Sequence, residues 1–241
     1  MDKILVCKNL KKSYKDTPAI DGLDLEIEKG KVVGLLGPNG SGKSTLLKLI
    51  VGLLKKDDGE ILISGDVPSH KTKAKISYLP DSYYLFDNIK VSEAIDMYED
   101  FYGDFDRKRC DELIEMLKIP KDKSTKDLSK GLRERLLISL TLARNAEIYI
   151  LDEPVDGVDS VAMQAVINII IDNMGKGKSF IITTHQISDL ENLFEDVIFL
   201  NRGKVLIHKD ANEIRQENNL DLSDYYKEVF GILWLNLSSM I

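Results

Sequence analysis

The sequence predicts an α/β protein with a mostly parallel sheet, an antiparallel β subdomain on its N-terminal side and an inserted α-helical subdomain. Three observations support this prediction: strand-like alternation near the N-terminus, short apolar runs alternating with helical segments, and a charged helical stretch over about 82–144 that lacks strand-like runs. Strands that alternate with helices favour a parallel sheet covered on both faces. We expect a single domain over residues 1–230, followed by an apolar tail over 231–241.

The N-terminal part contains three strand signals and one helix signal. Apolar and polar residues alternate over 4–10 and again over 23–27, which is typical of antiparallel strands joined by a polar turn. Residues 31–37 form a short apolar run, typical of a buried parallel strand. A glycine-rich turn follows, and the apolar residues over 43–54 then recur at helical spacing. These elements open a strand–turn–helix unit.

The second half of the chain returns to alternating elements. Strand-like runs occur over 147–151 and 179–184, with a helix predicted over 160–174 between them. A hairpin is predicted around Gly203. The acidic stretch over 210–230 is predicted to be helical. This order completes the parallel sheet after the helical insertion.

Composition limits the classes of function. The chain has 241 residues, of which 43% are hydrophobic, enough for a substantial core. Lys and Arg number 33 and Asp and Glu number 40, so the net charge is 33 − 40 = −7. Proteins that coat nucleic acid use clustered cations to meet phosphates, and we therefore expect no nucleic-acid partner.

The turn after the 31–37 strand carries the strongest chemical signal. It reads Gly37, Pro38, Asn39, Gly40, Ser41, Gly42, Lys43, Ser44, Thr45, which fits the phosphate-binding P-loop pattern. Its glycines let backbone N–H groups turn inward around phosphates, and the helix N-terminus that follows adds positive potential. Lys43 can reach the β and γ phosphates, and the Ser44 hydroxyl can ligate Mg²⁺. The flanking strand and helix favour a P-loop NTPase core over a glycine-rich turn that binds nothing.

Two adjacent carboxylates end the apolar strand over 147–151. Asp152 is placed to hold Mg²⁺ through water, and Glu153 to polarise an attacking water as a general base. Two acids after a strand are also compatible with a solvated loop. The P-loop upstream weighs against that alternative.

These segments together resemble the nucleotide-binding domain of ATP-binding-cassette (ABC) proteins. The resemblance runs from about residue 3 to residue 210, with the motifs in the family's order. Leu128-Ser-Lys-Gly-Leu132 stands where the family's LSGGQ signature belongs, although Lys130 replaces a glycine and Leu132 a glutamine. The resemblance implies that Ser129 and the Gly131 backbone contact the γ-phosphate of ATP held by a second ATPase subunit, in a homodimer or a heterodimer. Taken alone, the pentapeptide favours an ordinary helix N-cap at Ser129, and the other motifs of the family support the signature assignment.

The same resemblance assigns four further residues. His185 would contact the γ-phosphate and orient the attacking water, and Asp159 would lie in the D-loop that links the two sites of the dimer. Tyr14 would stack on adenine, its alternative being an ordinary strand tyrosine. Asp81 occupies the Q-loop, where most relatives carry glutamine, and could accept from a metal-bound water at the Mg²⁺ site.

The implied function is that of an ATPase subunit. It would bind and hydrolyse ATP with Mg²⁺, close a dimer, and power transport through transmembrane permease subunits on separate chains. The degenerate signature and Asp81 favour exporters over importers. One alternative is a soluble ABC ATPase acting on DNA or the ribosome; the single P-loop and the short segment between P-loop and signature weigh against it. Another is an ATP sensor without hydrolysis, against which Glu153 and His185 both argue.

Location is predicted from what the sequence lacks. No signal-peptide layout occurs at the N-terminus, and no apolar run approaches the roughly 18–20 residues that a membrane span needs. Cys7 and Cys110 form no Cys-x-x-Cys pair, and they are expected to be buried free thiols. We therefore expect a cytoplasmic chain, peripheral at the inner face of the cell membrane.

Overall fold

A computed structural model of the chain describes residues 2–156 and 159–238, with the side chains of 2–156 and 159–232. The strands in these ranges are β1 (Lys3–Tyr14), β2 (Thr17–Glu28), β3 (Val32–Leu36), β4 (Asp58–Ile63), β5 (Ile76–Leu79), β6 (Ile148–Asp152), β7 (Ser179–Thr183), β8 (Asp196–Asn201) and β9 (Lys204–Asp210). The α-helices are α1 (Lys43–Ile50), α2 (His70–Lys75), α3 (Val91–Phe101), α4 (Arg107–Met116), α5 (Lys130–Leu142), α6 (Ser160–Met174), α7 (Ile187–Leu190), α8 (Ala211–Asn218) and α9 (Leu222–Ser238).

The strands form two sheets. Strands β2, β1 and β4 make an antiparallel three-stranded sheet in that order. The six-stranded sheet has the order β5-β6-β7-β3-β8-β9, and its strands are parallel except for the edge strand β9. Because parallel strands end at a common edge, the segments that follow β3, β6 and β7 meet there. The predicted α/β fold with its antiparallel subdomain is confirmed.

Successive side chains of the parallel strands point to opposite faces of the sheet and contribute to two hydrophobic cores, one on each face. Ile148 and Ile150 of β6 pack with α1 and the antiparallel sheet. Tyr149 and Leu151 face the other side, where α6, α8 and α9 cover them. Successive side chains of a strand point to opposite faces, so a strand buried on both faces is apolar throughout.

The helical insertion has its own core and a polar connection to the sheet. Apolar residues of α3, α4 and α5 form a third cluster, which the N-terminal part of α6 also joins. The buried Arg144, just after α5, donates to the Asp104 carboxylate at 2.9 Å and to the Ala74 carbonyl at 2.8 Å. Its guanidinium also lies over the Tyr102 ring. Arg144 therefore holds the insertion against the segment that leads into β5.

Several element predictions are confirmed and others need correction. Helix α6 has the predicted bounds, and the hairpin forms as β8 and β9. No strand was predicted between the first helix and the insertion, where β4 and β5 lie. Only two of the six residues of β4 are buried, so its sequence pattern is weak. Helix α1 ends at Ile50 rather than at residue 54, and Gly52 with φ 70° takes the chain out of the helix.

Three remaining predictions concern the ends and the thiols. Helix α9 continues across position 231, where the apolar tail was expected to begin, and residues 239–241 lie outside the described part. Among the described residues, no helix is both long and apolar enough to cross a membrane. Cys7 and Cys110 are free and buried, as predicted, and burial raises the pKa of each thiol to about 12.

Candidate functional site

The phosphate-binding loop joins β3 to α1, as the sequence predicts. A Cβ on Gly37 would lie 2.3 Å from the Leu200 carbonyl oxygen, so only glycine fits against β8 at that point. Gly42, immediately before α1, has φ 109°, a conformation that L side chains rarely adopt. The Gly203 N–H donates to the Ser41 carbonyl at 2.8 Å, which anchors the loop from the β8–β9 turn. The loop is therefore shaped by tertiary contacts as well as by its own glycines.

Lys43, the first residue of α1, is buried with its amine near the loop. Its Nζ donates to the Gly37 carbonyl oxygen at 2.7 Å. Burial lowers the pKa of Lys43, while the charges of Glu153 and Asp152 oppose that change. One cation thus lies within the electrostatic reach of two carboxylates.

Asp152 ends β6, directly beside Thr183 at the end of β7. The Thr183 hydroxyl donates to Asp152 Oδ1 at 2.6 Å, whereas Asp152 Oδ2 is buried and has no hydrogen-bond partner among the described residues. Burial raises the pKa of Asp152, and the hydrogen bond from Thr183 lowers it in opposition. Asp152 therefore presents one acceptor oxygen with unused capacity at the edge of the sheet.

Glu153 follows in a left-handed backbone conformation, with φ 55°. Such a conformation is uncommon for a residue with a side chain and indicates local strain. Its carboxylate contacts His185 twice: Oε2 accepts from the His185 backbone N–H at 3.0 Å, and Oε1 lies 3.2 Å from His185 Nε2. Burial raises the pKa of Glu153, although His185 and Lys43 act against this. The carboxylate is thus held firmly and made more basic than an exposed glutamate.

Most of the predicted nucleotide-site residues share one cleft of about 370 Å³. The residues lining it are Tyr14, Ala19, Asn39, Gly40, Ser41, Gly42, Lys43, Ser44, Thr45, Asp81, Asp152, Glu153 and His185. Gly37 and Pro38 do not line the cleft, and their carbonyl groups instead accept from the lysine amine. The structure therefore brings together residues that are up to 171 positions apart, from Tyr14 to His185 (185 − 14).

Asp81 and Tyr14 lie at the margins of this cleft. Asp81 is exposed, and its charge is one of the influences that raise the pKa of Asp152. Tyr14 ends β1 and is 50% exposed, so its ring is accessible from the cleft side. Both residues are therefore available to a ligand without any rearrangement of the core.

The signature residues lie apart from the cleft, at the N-terminus of α5. Ser129 is the N-cap, and its hydroxyl accepts from the Leu132 N–H at 3.4 Å. A Cβ on Gly131 would meet nothing within 4 Å. Both residues thus face open space, and within one chain they do not join the residues of the nucleotide cleft.

Asp159 caps the next helix and makes an ion pair that the sequence did not indicate. Its Oδ1 accepts from the Val161 N–H at 3.0 Å and the Ala162 N–H at 3.1 Å, at the start of α6. Its other oxygen pairs with the guanidinium of Arg135 in α5. The segment after β6 is therefore tied to the helical insertion.

Two features of the site escaped sequence analysis. Thr183 donates the hydrogen bond to Asp152, and its signal in the sequence was a hydroxyl residue directly after the apolar residues 180–182. A second cavity of about 540 Å³ adjoins the cleft, between the 79–83 segment, α5 and the 152–156 segment. Asp81, Asp152 and Glu153 line both spaces. A boundary between subdomains therefore opens beside the carboxylates.

Comparisons with known proteins agree with this geometry. The sequence model of the family described as ABC transporter matches residues 20–156. The chain is 34% identical over 228 residues to the lipopolysaccharide export system ATP-binding protein LptB of Haemophilus influenzae, covering 90% of this chain and 95% of that one. It is 32% identical over 213 residues to the ABC transporter ATP-binding protein YtrB of Bacillus subtilis, covering 87% and 73%.

A solved structure extends the comparison to three dimensions. The dimeric structure of MJ0796, described as a bacterial ABC transporter cassette, superposes with a TM-score of 0.76 at 26% identity. The match covers 86% of this chain and 98% of that one.

Proposed function

This chain belongs to the ABC transporter family as an ATP-binding, ATP-hydrolysing subunit, and we propose that Glu153 and His185 form its hydrolytic centre within a dimer that drives membrane-spanning partner subunits. The observation that carries this proposal is the shared cleft. The side chains of Lys43, Asp152 and Glu153 converge there with the phosphate-binding loop. The relatives named above are transporter subunits, which favours transport over action on DNA or the ribosome.

The phosphates of ATP would bind to the loop between β3 and α1. Backbone N–H groups of that loop and the N-terminus of α1 provide donors and positive potential for an anion. Lys43 supplies a full charge and would exchange its bond to the Gly37 carbonyl for the β and γ phosphates. Tyr14, exposed at the margin of the cleft, would stack on the adenine ring; such stacking contributes roughly 1–3 kcal/mol.

Glu153 would accept the proton of the attacking water. Its pKa is raised by burial, which makes the carboxylate a stronger base than an exposed glutamate. Its two contacts with His185 fix the direction of the carboxylate, and His185, half exposed in the cleft, would also contact the γ-phosphate. The chain therefore holds the base before substrate arrives.

The residues present fit Mg²⁺. Asp152 Oδ2 is buried without a partner among the described residues, and the Ser44 hydroxyl lines the same cleft. No cluster of three or more His, Cys, Asp or Glu side chains suited to a metal occurs in the described ranges, which agrees with an ion held by few protein ligands together with phosphates. Ser44 and Asp152 would hold Mg²⁺, with Asp81 accepting from a bound water. When bound, the ion neutralises charge on the phosphate oxygens.

The signature residues would act on a second subunit. Ser129 is exposed and Gly131 half-buried at the N-terminus of α5, and both lie outside their own chain's cleft. A head-to-tail dimer would place them against the γ-phosphate held by the partner, with Asp159 near the junction. The dimeric cassette named above supports the formation of a dimer. The proposal leaves open whether the second subunit is a copy of this chain.

The membrane partners and the location follow from the same proposal. We place the subunit in the cytoplasm at the inner face of the cell membrane, bound to permease subunits on separate chains. Transport would run outward, a direction that the similarity to LptB, a subunit of a lipopolysaccharide export system, supports. Purifying the chain from membranes and identifying the integral protein that accompanies it tests this point. Recovery of the chain with ribosomes or DNA instead would contradict it.

Steady-state hydrolysis tests the catalytic assignment. Glu153→Gln keeps the shape of the side chain and removes the base, so ATP turnover should fall by about 10²–10⁴-fold while ATP binding persists. Glu228→Gln, an exposed glutamate on α9 distant in sequence from the cleft residues, is the matched control and should behave as the parent. Turnover of Glu153→Gln within about threefold of the parent would overturn the assignment.

A further inference from the structure

Thr183 is a fully buried hydroxyl residue that contacts both residues of the carboxylate pair. Its exposure is 0%, and it ends β7, whose preceding residues Phe180, Ile181 and Ile182 are apolar. Its Oγ lies 2.6 Å from Asp152 Oδ1 and 3.0 Å from the Glu153 backbone N. Packing alone would favour an apolar β-branched residue at this position.

The direction of these two hydrogen bonds is determined by their partners. An ionised carboxylate only accepts, so the Thr183 O–H donates to Asp152. A backbone N–H only donates, so the same oxygen accepts from Glu153. One hydroxyl therefore uses its donor on one residue and an acceptor lone pair on the next.

These two hydrogen bonds orient the Asp152 carboxylate and the Glu153 backbone. With Oδ1 engaged by Thr183, Asp152 turns its other oxygen, Oδ2, to the side where the described structure provides no partner. The Glu153 amide is held by the Thr183 hydroxyl and also by the Thr183 carbonyl at 3.2 Å. These bonds anchor the backbone at the point where Glu153 adopts its positive φ of 55°.

We propose that Thr183 is a positioning residue that sets the metal-facing oxygen of Asp152 and the backbone of Glu153 through one bridging hydroxyl. The inference rests on the proposed function, in which Asp152 faces Mg²⁺ and Glu153 is the base. Thr183 acts only through these two residues, since it does not line the cleft. The hydroxyl group of Thr183, rather than the shape of its side chain, is responsible for this positioning.

Four variants separate the effect of the Thr183 hydroxyl from the effect of its side-chain shape. Thr183→Val keeps the β-branched shape and removes the hydroxyl, whereas Thr183→Ser keeps the hydroxyl. Ser179→Ala is the control, because Ser179 is a buried hydroxyl at the other end of β7 that accepts from the Gly30 N–H at 2.8 Å. Thr183→Ala removes the same hydroxyl and serves if the valine variant fails to fold.

The first readout is nucleotide binding, measured by titration with and without Mg²⁺. For Thr183→Val, affinity for ATP in EDTA should equal that of the parent, while the gain in affinity that Mg²⁺ provides should fall by about tenfold. The second readout is hydrolysis: turnover should fall by about 10- to 100-fold and the Mg²⁺ concentration for half-maximal rate should rise. Thr183→Ser should restore both, and Ser179→Ala should change neither.

Two results would overturn the inference. Parental Mg²⁺ dependence and turnover in Thr183→Val would show that the hydroxyl positions nothing. An equal Mg²⁺ effect in Ser179→Ala would show a general loss of stability in β7 instead. Failure of the proposed function is a separate result, because it would show as parental turnover in Glu153→Gln.

Discussion

The imidazole Nε2 of His185 lies 3.2 Å from Glu153 Oε1, and the backbone N–H of the same histidine donates to Glu153 Oε2 at 3.0 Å. A single residue after β7 thus contacts both oxygens of the carboxylate after β6. One contact depends on the histidine side chain and the other does not. Replacing the imidazole should therefore loosen Glu153 without releasing it.

His185→Ala tests this relationship. Turnover should fall by about 10- to 100-fold, less than in Glu153→Gln, because the backbone bond to Glu153 persists. If His185 works largely through Glu153, the double variant should be no slower than Glu153→Gln alone, since residues that act as a unit are not additive. Steady-state ATP hydrolysis by the parent, the two single variants and the double variant tests this expectation. Additive losses would indicate an independent contact of His185 with substrate.

Ser129→Arg tests the composite site. In the Glu153→Gln background with ATP and Mg²⁺, the chain should dimerise, and Ser129→Arg should weaken the dimer by at least about tenfold because a bulky side chain would fill the partner's phosphate pocket. Asp122→Arg places an arginine at an exposed position of the same subdomain and is the control. Sedimentation checks the result. A nucleotide-bound chain that stays monomeric would rule out the homodimer and leave a heterodimer.

Two substitutions of Asp159 distinguish the stability contributed by helix capping from that contributed by the ion pair with Arg135. Asp159→Ala removes the cap of α6 and the partner of Arg135, and should cost about 1 kcal/mol of folding free energy. Asp159→Asn keeps a good cap and loses only the charge, so its cost should be smaller, because partly exposed ion pairs contribute little. Urea denaturation of both variants measures this difference. Equal losses would assign the stability to the ion pair.

Asp81→Asn tests the Q-loop assignment. Asp81 lines the cleft with Asp152, and its negative charge should favour bound Mg²⁺ and disfavour metal-free ATP. The variant should need more Mg²⁺ for half-maximal hydrolysis and should bind ATP in EDTA equally or better. Asp81→Ala should do the same and also slow turnover. Superimposable Mg²⁺ titrations would remove Asp81 from the metal site and place its role at the membrane subunit.

The sequence predicts much of the fold because its signals are local. The glycine-rich turn, the apolar runs and the helix over 160–174 are read within short windows, and α6 has those bounds. Strand β4 was missed because only two of its six residues are buried, and β5 because it is only four residues long. Short or half-exposed strands carry little periodicity, so neighbouring strands determine them.

The sequence by itself determined the kind of chemistry. The P-loop with Lys43 and Ser44 and the acids Asp152 and Glu153 were predicted from residue type and position beside a strand, and His185 from the resemblance to ABC proteins. Parallel strands end at one edge of the sheet, so such residues converge whatever the details of packing.

Only the tertiary structure decided how those groups are oriented. The pairing of Asp152 with Thr183, the ion pair between Arg135 and Asp159, and the separation of Ser129 from its own chain's cleft depend on strand register and on the placement of the helical insertion. These contacts join residues far apart in the chain. The strand order of the whole sheet places β6 beside β7. A hydrogen bond between these two strands therefore cannot be predicted from a local sequence pattern.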